Sequence, residues 1–371
     1  MKNWLWSMLV APLLLSPYVN GAYLESDGYP EPARQTPDKV LPPPARSGPE
    51  AAVTRLARQV RVGSPWHYRG LTIFPLSLDS PPSRPDILTL DEAVARDWLV
   101  LQEKADAQVS EIRVRNASSR RVFLMSGEIL AGGRQNRLVQ DDVLLPPNSD
   151  FIAVRVYCGE HDRWQPVTDR FRSPETLAAP SLRKGAAAGA SQDAIWREID
   201  EQRAKMGVES PTRSYQQIYD EPSVQRELDD CFARFREVPS ARTVGAVAMF
   251  GNRVVAADIF SDPALFSRLW RKLVRAYAVE YAPFKGDDEF RAPEGDARDF
   301  IDKILSARFN EQYTPGSGAL VVIAGSVSGK ALVWDDEAVH VALFPRDYAP
   351  QPVSPPPPHP VPVPMPRPMW R

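Results

Sequence analysis

Residues 126–137 carry groups that could hold an anionic or sugar-containing ligand. Gly132 and Gly133 lack side chains, so backbone amides could approach a ligand closely there. Around them stand a carboxylate, two amides and a guanidinium, which belong to Glu128, Gln135, Asn136 and Arg137. Such groups hydrogen-bond phosphates, carboxylates and hydroxyls. The pattern predicts a ligand-binding loop formed by Gly132, Gly133, Gln135, Asn136 and Arg137.

A second polar cluster follows at residues 158–164. Glu160 and Arg163 stand beside Trp164, whose aromatic face could stack on a base or a sugar. We therefore add Arg163 and Trp164 to the predicted ligand-binding residues. If both clusters lie at one end of a sheet, Glu128 and Glu160 could act as paired carboxylates in acid/base hydrolysis. The alternative is a structural role, with a glycine hairpin, an Arg–Glu pair and a capping tryptophan.

Cys158 and Cys231 are the only cysteines of the chain. A disulfide between them could stabilise the fold by roughly 4 kcal/mol. Two inert thiols, or a reactive thiol at Cys158 among charged neighbours, are the alternatives. The four histidines are too scattered to indicate a zinc site, so no metal and no cofactor is predicted.

Two further patterns have simpler explanations. Residues 325–330 look like a phosphate-binding loop, but the glycine spacing is too short and Ala331 replaces the magnesium-binding hydroxyl, so we predict a hairpin turn. Arg268, Arg271, Lys272 and Arg275 form one stripe on a predicted helix over 263–281. Such a stripe is typical of a solvated helix face, with an anionic partner as the alternative.

In the first half of the chain, the sequence pattern predicts that strands position these groups. Short alternating or apolar runs predict strands at 71–78, 98–103, 109–114, 122–129, 137–144 and 151–156. The second half predicts a hairpin over 244–259, helices over 263–281 and 296–309, and three closing strands. We predict an α+β fold with mostly antiparallel sheets in two halves, a sandwich- or barrel-like first half and several packed helices. Residues 184–190 predict a flexible connector between two lobes of a folded domain over 63–348.

Both ends of the chain differ from the middle. Lys2 precedes a short apolar run, and the pattern predicts a signal peptide over 1–21. Prolines predict an extended tether over 22–62 and a disordered, polyproline II tail over 349–371. The tail could meet an envelope or protein partner. No later run is apolar enough to span a membrane. We therefore expect an exported protein, periplasmic or secreted.

The charge balance excludes one class of partner. The chain has 371 residues, with 45 Lys and Arg against 47 Asp and Glu. This near-neutral balance provides no general basic surface, so we expect no binding to nucleic acid.

The two polar clusters also carry a family resemblance. Gly127-Glu128, Gly132-Gly133, Gln135-x-Arg137 and then Cys158-x-Glu160-x-x-Arg163-Trp164 resemble motifs of the ADP-ribosylglycohydrolase-and-rhodanese-phosphatase-associated protein domain, a prokaryotic family. The similarity extends over residues 70–344. The resemblance implies a nucleotide- or ADP-ribose-related ligand for these loops. It does not imply a particular reaction.

Three hypotheses remain open on the sequence. The favoured one is an exported domain that binds an anionic or sugar- or nucleotide-like small molecule. The second is a hydrolase of a glycosidic or phosphate-ester bond that uses Glu128 or Glu160. The third is an envelope scaffold that acts through its proline-rich tail.

Overall fold

Short apolar runs become strands throughout the computed structural model, which describes residues 48–82, 87–104, 110–163, 165–168, 170–281 and 292–346. The signal peptide over 1–21, residues 22–47 of the tether, the tail over 349–371 and Trp164 lie outside the described residues. What we expect of them stays a prediction. Within the described part of the chain, no helix is both long and apolar enough to cross a membrane.

The first half of the described chain is mainly strand. Its helices are α1 (Pro49–Gln59) and α2 (Leu90–Ala95). Its strands are β1 (Arg61–Val62), β2 (Trp66–Tyr68), β3 (Leu71–Ser77), β4 (Ile87–Thr89), β5 (Leu99–Glu103), β6 (Glu111–Asn116), β7 (Arg121–Leu124), β8 (Ile129–Gly132), β9 (Arg137–Val139), β10 (Val143–Leu145), β11 (Ile152–Cys158) and β12 (Phe171–Arg172).

The second half mixes helices and strands. Four helices come first: α3 (Pro180–Ala187), α4 (Gln192–Lys205), α5 (Gln216–Asp220) and α6 (Pro222–Phe235). They are followed by β13 (Thr243–Phe250), β14 (Arg253–Phe260), α7 (Pro263–Tyr281), α8 (Glu294–Asp302), a 3₁₀ helix (Lys303–Ser306), β15 (Arg308–Gln312), β16 (Ala319–Ala324), β17 (Val327–Trp334) and β18 (Glu337–Pro345).

The strands form one large and two small sheets. The large sheet has the order β1-β3-β13-β14-β18-β17-β16-β15, with β2 added to β3, and its pairs are antiparallel. A six-stranded antiparallel sheet has the order β12-β8-β9-β11-β6-β5. In the third sheet, β10-β7-β4, only the β4–β7 pair is parallel. The predicted α+β class with mostly antiparallel sheets is confirmed, although β1–β3 join the sheet of the second half.

Helices cover both faces of the large sheet because both faces of its central strands are apolar. Ala246, Ala248 and Ala256 belong to the core that contains the apolar side chains of α7. Val247 and Ile259 instead belong to the core that contains those of α1 and α8. The two smaller sheets share a third core. Strands that are buried on both faces read as continuous apolar runs, as β13 and β14 do.

Helix α7 begins and buries one face as its sequence predicts. The Oδ1 atom of Asp262 accepts a hydrogen bond from the Ala264 N–H at 2.9 Å, and Pro263 opens the first turn. Leu265, Leu269 and Leu273 are buried along one stripe. This helix supplies Lys272 and Tyr277 to the interior described below.

The predicted tether ends earlier than residue 62. Helix α1 buries Val53 and Leu56 against the large sheet, and β1 pairs with β3. Pro49 lies at the start of the helix, where a missing N–H is tolerated, so this proline begins a helix instead of preventing one. Residues 49–62 therefore belong to the folded part of the chain.

The predicted flexible connector over 184–190 is wrong in its first half. Residues 180–187 form α3, with Leu182, Arg183 and Ala186 buried. A Cβ added to Gly185 would lie 3.5 Å from the Ile195 side chain of α4, so the small residue serves close helix packing. All described residues fall in one compact unit.

The predicted helix over 296–309 also ends early, because β15 begins at Arg308. Gly329 and Lys330 lie inside β17 and not in the predicted turn.

Candidate functional site

The two predicted polar clusters meet at one end of the six-stranded sheet. Strand β9 begins beside the end of β11, with Arg137 opposite Cys158. The β8–β9 turn and the segment after β11 therefore leave the sheet together. An Nη1 N–H of Arg163 donates to the Gly133 carbonyl at 2.7 Å. We call residues 132–137 and 158–163 the loop junction. A shared ligand site requires these two segments to lie together, and they do.

The charged groups of the loop junction are bonded to one another. The Glu160 carboxylate accepts from Arg163 Nε at 2.9 Å and from the Asn136 N–H at 3.1 Å. Asn136 Oδ1 in turn accepts from the Gly132 N–H at 3.1 Å. Glu160 is buried. An ion-paired, buried carboxylate with these partners holds the loops together and is poorly placed to exchange protons with a substrate.

Arg137 and Gln135 extend the same network inward. Arg137 Nη1 donates to Gln135 Oε1 at 3.2 Å and to Cys158 Sγ at 2.6 Å, and Nη2 donates to Glu103 Oε1 at 3.1 Å. Gln135 Nε2 donates to the carbonyl of His161 at 3.2 Å. Arg137 and Gln135 are both buried. The structure thus brings together all described residues of the predicted ligand-binding set, and it uses their polar groups for internal contacts.

The two glycines are required by packing within the loop junction. Gly132 and Gly133 have positive φ angles of 134° and 54°. A Cβ on Gly132 would lie 2.7 Å from the Arg170 carbonyl, and one on Gly133 would lie 2.8 Å from the Phe171 ring. A side chain at either position would clash with neighbouring protein. Their conformation is thus explained without a ligand.

The cysteines do not form the disulfide that was one of the predicted alternatives. Cys158 and Cys231 are both unoxidised thiols outside any disulfide, and both are buried. Burial raises the pKa of the Cys158 thiol, an effect that nearby Arg137 opposes, and burial raises the pKa of Cys231 to about 12. A thiol with a raised pKa supplies little thiolate at neutral pH, so the structure favours two inert thiols.

Glu128 lies in a different network from Glu160. Its Oε1 accepts from Lys272 Nζ at 2.6 Å, and its Oε2 accepts from the Met125 N–H at 2.9 Å. Lys272 also binds Asp91 at 2.7 Å, so this member of the basic stripe points inward and is buried. Burial raises the pKa of Glu128 to about 7, while Lys272 opposes that rise. The two candidate carboxylates have separate sets of partners among the described residues, and this arrangement does not support a paired mechanism.

A second group of buried ionisable residues was not predicted. We call Asp142, Arg183, Asp258, Tyr277 and His340 the charge centre. His340 lies between two carboxylates, with Nδ1 2.6 Å from Asp142 Oδ2 and Nε2 3.0 Å from Asp258 Oδ1. Arg183 contacts both Asp258 oxygens, and the Tyr277 hydroxyl donates to the same carboxylate. All five residues are buried.

The electrostatics of the charge centre are those of a closed ionic network. Burial lowers the pKa of His340, but Asp142 and Asp258 outweigh it and raise that pKa to about 9. Burial raises the pKa of Asp258, but Arg183 and His340 hold it below its usual range. The network connects α3, α7, β14, β18 and the turn before β10. Asp258 and His340 each interrupt an apolar strand, and that interruption is the sequence signal for a buried partner.

An open groove lies between β6, β11 and the segment after β15. It has a volume of about 560 Å³ and is lined by Glu111, Ile152, Ala153, Arg155, Gln312, Tyr313 and Pro315. Tyr313 is 83% exposed, and the side chain of Arg155 is 49% exposed. We call this feature the groove. Sequence reasoning missed it; the available signal was a tyrosine among polar residues just after a strand.

Metal ligands are the remaining possibility for a site. The residues that the structure describes contain no group of three or more His, Cys, Asp or Glu side chains arranged to hold a metal ion.

Removing Arg163 tests whether the loop junction is a structural network. We expect Arg163→Ala to lower the free energy of unfolding by about 2–3 kcal/mol, because Glu160 would lose the cation that compensates its burial. Arg134→Ala is the matched control, since this side chain is 52% exposed and 3.8 Å from Glu103. We expect the control to change stability by less than about 0.5 kcal/mol. Urea unfolding measures both; equal effects would contradict the structural role.

A family model places most of this chain in a known family. The model of the ARG and Rhodanese-Phosphatase-superfamily-associated Protein domain matches residues 59–344. This span contains the loop junction, the charge centre and the groove. No curated protein and no solved structure gave a match. The resemblance that the two polar clusters carry is thereby confirmed.

Proposed function

The chain belongs to the ARG and Rhodanese-Phosphatase-superfamily-associated Protein domain family. For this member we propose a ligand-binding function, with the groove beside Tyr313 as its small-molecule site. The observation that carries the proposal is an exposed aromatic ring on the wall of an open groove that also presents a guanidinium, a carboxylate and an amide. In the loop junction and in the charge centre, by contrast, the polar groups bond to other groups of the same cluster.

The size and chemistry of the groove suit a small polar molecule. Ligand pockets commonly have volumes of about 300–1,000 Å³ and combine apolar walls with a few polar groups. Ile152, Ala153 and Pro315 provide apolar wall, while Glu111 and Gln312 provide an acceptor and an amide. The exposed face of Tyr313 can cover one face of a sugar or base ring.

The proposal keeps the ligand class that the sequence analysis favours, but it places the binding site in the groove and not in the loop junction. An anionic or sugar- or nucleotide-like ligand remains the expected kind of molecule. Export, the signal peptide and a partner for the proline-rich tail stay predictions. The hydrolase alternative gains no support from Glu128 and Glu160, because each is ion-paired in its own buried network.

Tyr313 is the residue that tests the proposal. The probes are adenosine monophosphate, glucose 6-phosphate and glucuronate, titrated calorimetrically into the full chain. We expect at least one probe to bind, and Tyr313→Ala to weaken its binding about tenfold, because ring stacking contributes about 1–3 kcal/mol. Tyr313→Phe keeps the ring and should retain affinity within about threefold.

Trp66→Ala is the matched control, since Trp66 is a partly exposed aromatic residue on β2, outside the groove. It should leave binding unchanged. The proposal fails if the full chain binds none of the three probes, or if Tyr313→Ala binds as tightly as the unaltered chain.

A further inference from the structure

We infer that the ligand of the groove carries an anionic group, a phosphate or carboxylate, which binds at Arg155 while its ring lies on Tyr313. The inference rests on the proposed function and narrows its ligand class. It follows from how the charged side chains around the groove pair with one another.

Arg155 shares its carboxylate partner with a second cation. Its Nη2 donates to Asp141 Oδ2 at 2.6 Å, while Lys330 Nζ donates to Asp141 Oδ1. The single negative charge of Asp141 is therefore shared between the positive charges of Arg155 and Lys330. Asp141 and Lys330 are buried, whereas the Arg155 side chain is half exposed on the wall of the groove. The surplus positive charge is consequently available to a ligand at Arg155.

The other acidic residue of the wall does not cancel this surplus. Glu111 lies directly opposite Arg155 on β6, but its carboxylate pairs with Lys104. Glu311 precedes Gln312 on β15, and successive strand residues point to opposite faces. Glu311 is not among the residues that line the groove. Among the described side chains, Lys104 therefore offsets Glu111, and the excess positive charge at Asp141 is not cancelled.

A guanidinium that is partly engaged still has free donors. Arg155 presents five N–H groups in a planar fork, and within the part of the chain that the structure describes its bond to Asp141 uses one of them. The remaining donors match the paired oxygens of a phosphate or carboxylate. A neutral ring would stack on Tyr313 equally well but would leave this charge uncompensated. The groove therefore favours a ring-bearing anion over its neutral counterpart.

Matched pairs of probes separate this inference from the proposed function. Adenosine and adenosine monophosphate form one pair; glucose forms the other with glucose 6-phosphate and glucuronate. We expect the anionic member of at least one pair to bind about tenfold or more tightly than the neutral member at low salt. The two pairs distinguish a nucleotide from a sugar phosphate or sugar acid. We also expect the preference to shrink as salt is raised.

Arg155→Gln should remove the preference and leave residual binding of the ring. Its fold should persist, because Lys330 continues to pair with Asp141. Arg172→Gln is the control, since Arg172 is exposed on β12, which β8 and β9 separate from β11. Equal binding of both members of each pair would overturn the inference and leave the proposed function standing. An anion preference that survives Arg155→Gln would also overturn it. Absence of all binding would overturn the proposed function itself.

Discussion

Replacing Arg183 with methionine is expected to lower the free energy of unfolding by about 3–5 kcal/mol. Both terminal nitrogens of Arg183 donate to the Asp258 carboxylate, and both residues are buried. Removing one partner of a buried ion pair leaves the other charge uncompensated in a medium that solvates it poorly. His340 and Tyr277 keep their contacts with Asp258, which places the loss near the lower end of this range.

Urea unfolding at neutral pH measures this loss. Arg183→Lys retains the charge but not the two-pronged geometry, so it should lose less than Arg183→Met. Arg236→Met is the matched control, because Arg236 and its partner Glu237 are both exposed, and it should change stability by less than about 0.5 kcal/mol. A loss below about 1 kcal/mol for Arg183→Met would show that the charge centre does not stabilise the fold.

Raising the pH from 6.5 to 9 is expected to lower the free energy of unfolding through His340. The pKa of His340 is about 9 in the folded chain, above its ordinary value of 6.5. Between these values the folded state holds a proton that the unfolded state releases, so stability falls as pH rises. The contribution is fully present below pH 6.5 and is lost as the pH passes 9; one pKa unit corresponds to about 1.4 kcal/mol.

His340→Gln isolates this effect. The other members of the charge centre are Asp142, Asp258, Arg183 and Tyr277, and the variant leaves all of them in place. Glu128 also has a raised pKa, of about 7, so its contribution is lost between about pH 4.5 and 7. We expect the unaltered chain to lose clearly more stability than His340→Gln between pH 7.5 and 9. Parallel curves for the two proteins would contradict a protonated His340 in the folded state.

The loop junction illustrates what local sequence patterns can predict. From the sequence, the two polar clusters could share a site only if they lay at one end of a sheet, and the β8–β9 turn and the segment after β11 meet this condition. The residue types alone could not show whether Glu160 and Arg163 face a ligand or each other. That outcome depends on Asn136 and the carbonyl of Gly133, which are brought into place by the tertiary fold.

The charge centre and the groove depend on contacts between distant parts of the chain. Asp142 and His340 are separated by 198 positions, and a strand pattern gives no information about such a pair. Tyr313, just after β15, and Arg155, on β11, line the same groove although the two strands belong to different sheets. Residues 184–187 show the opposite error, since small side chains that suggest flexibility instead permit close packing of α3 on α4.

The most direct test of the central claim is to locate a bound probe crystallographically. Crystals of the full chain soaked with adenosine monophosphate or glucose 6-phosphate would show which surface takes the ligand. We predict a ring stacked on Tyr313 with its phosphate at Arg155, and an unchanged Glu160–Arg163 pair. A ligand seated between Gly133 and an opened Glu160–Arg163 pair would contradict the account and return the site to the loop junction.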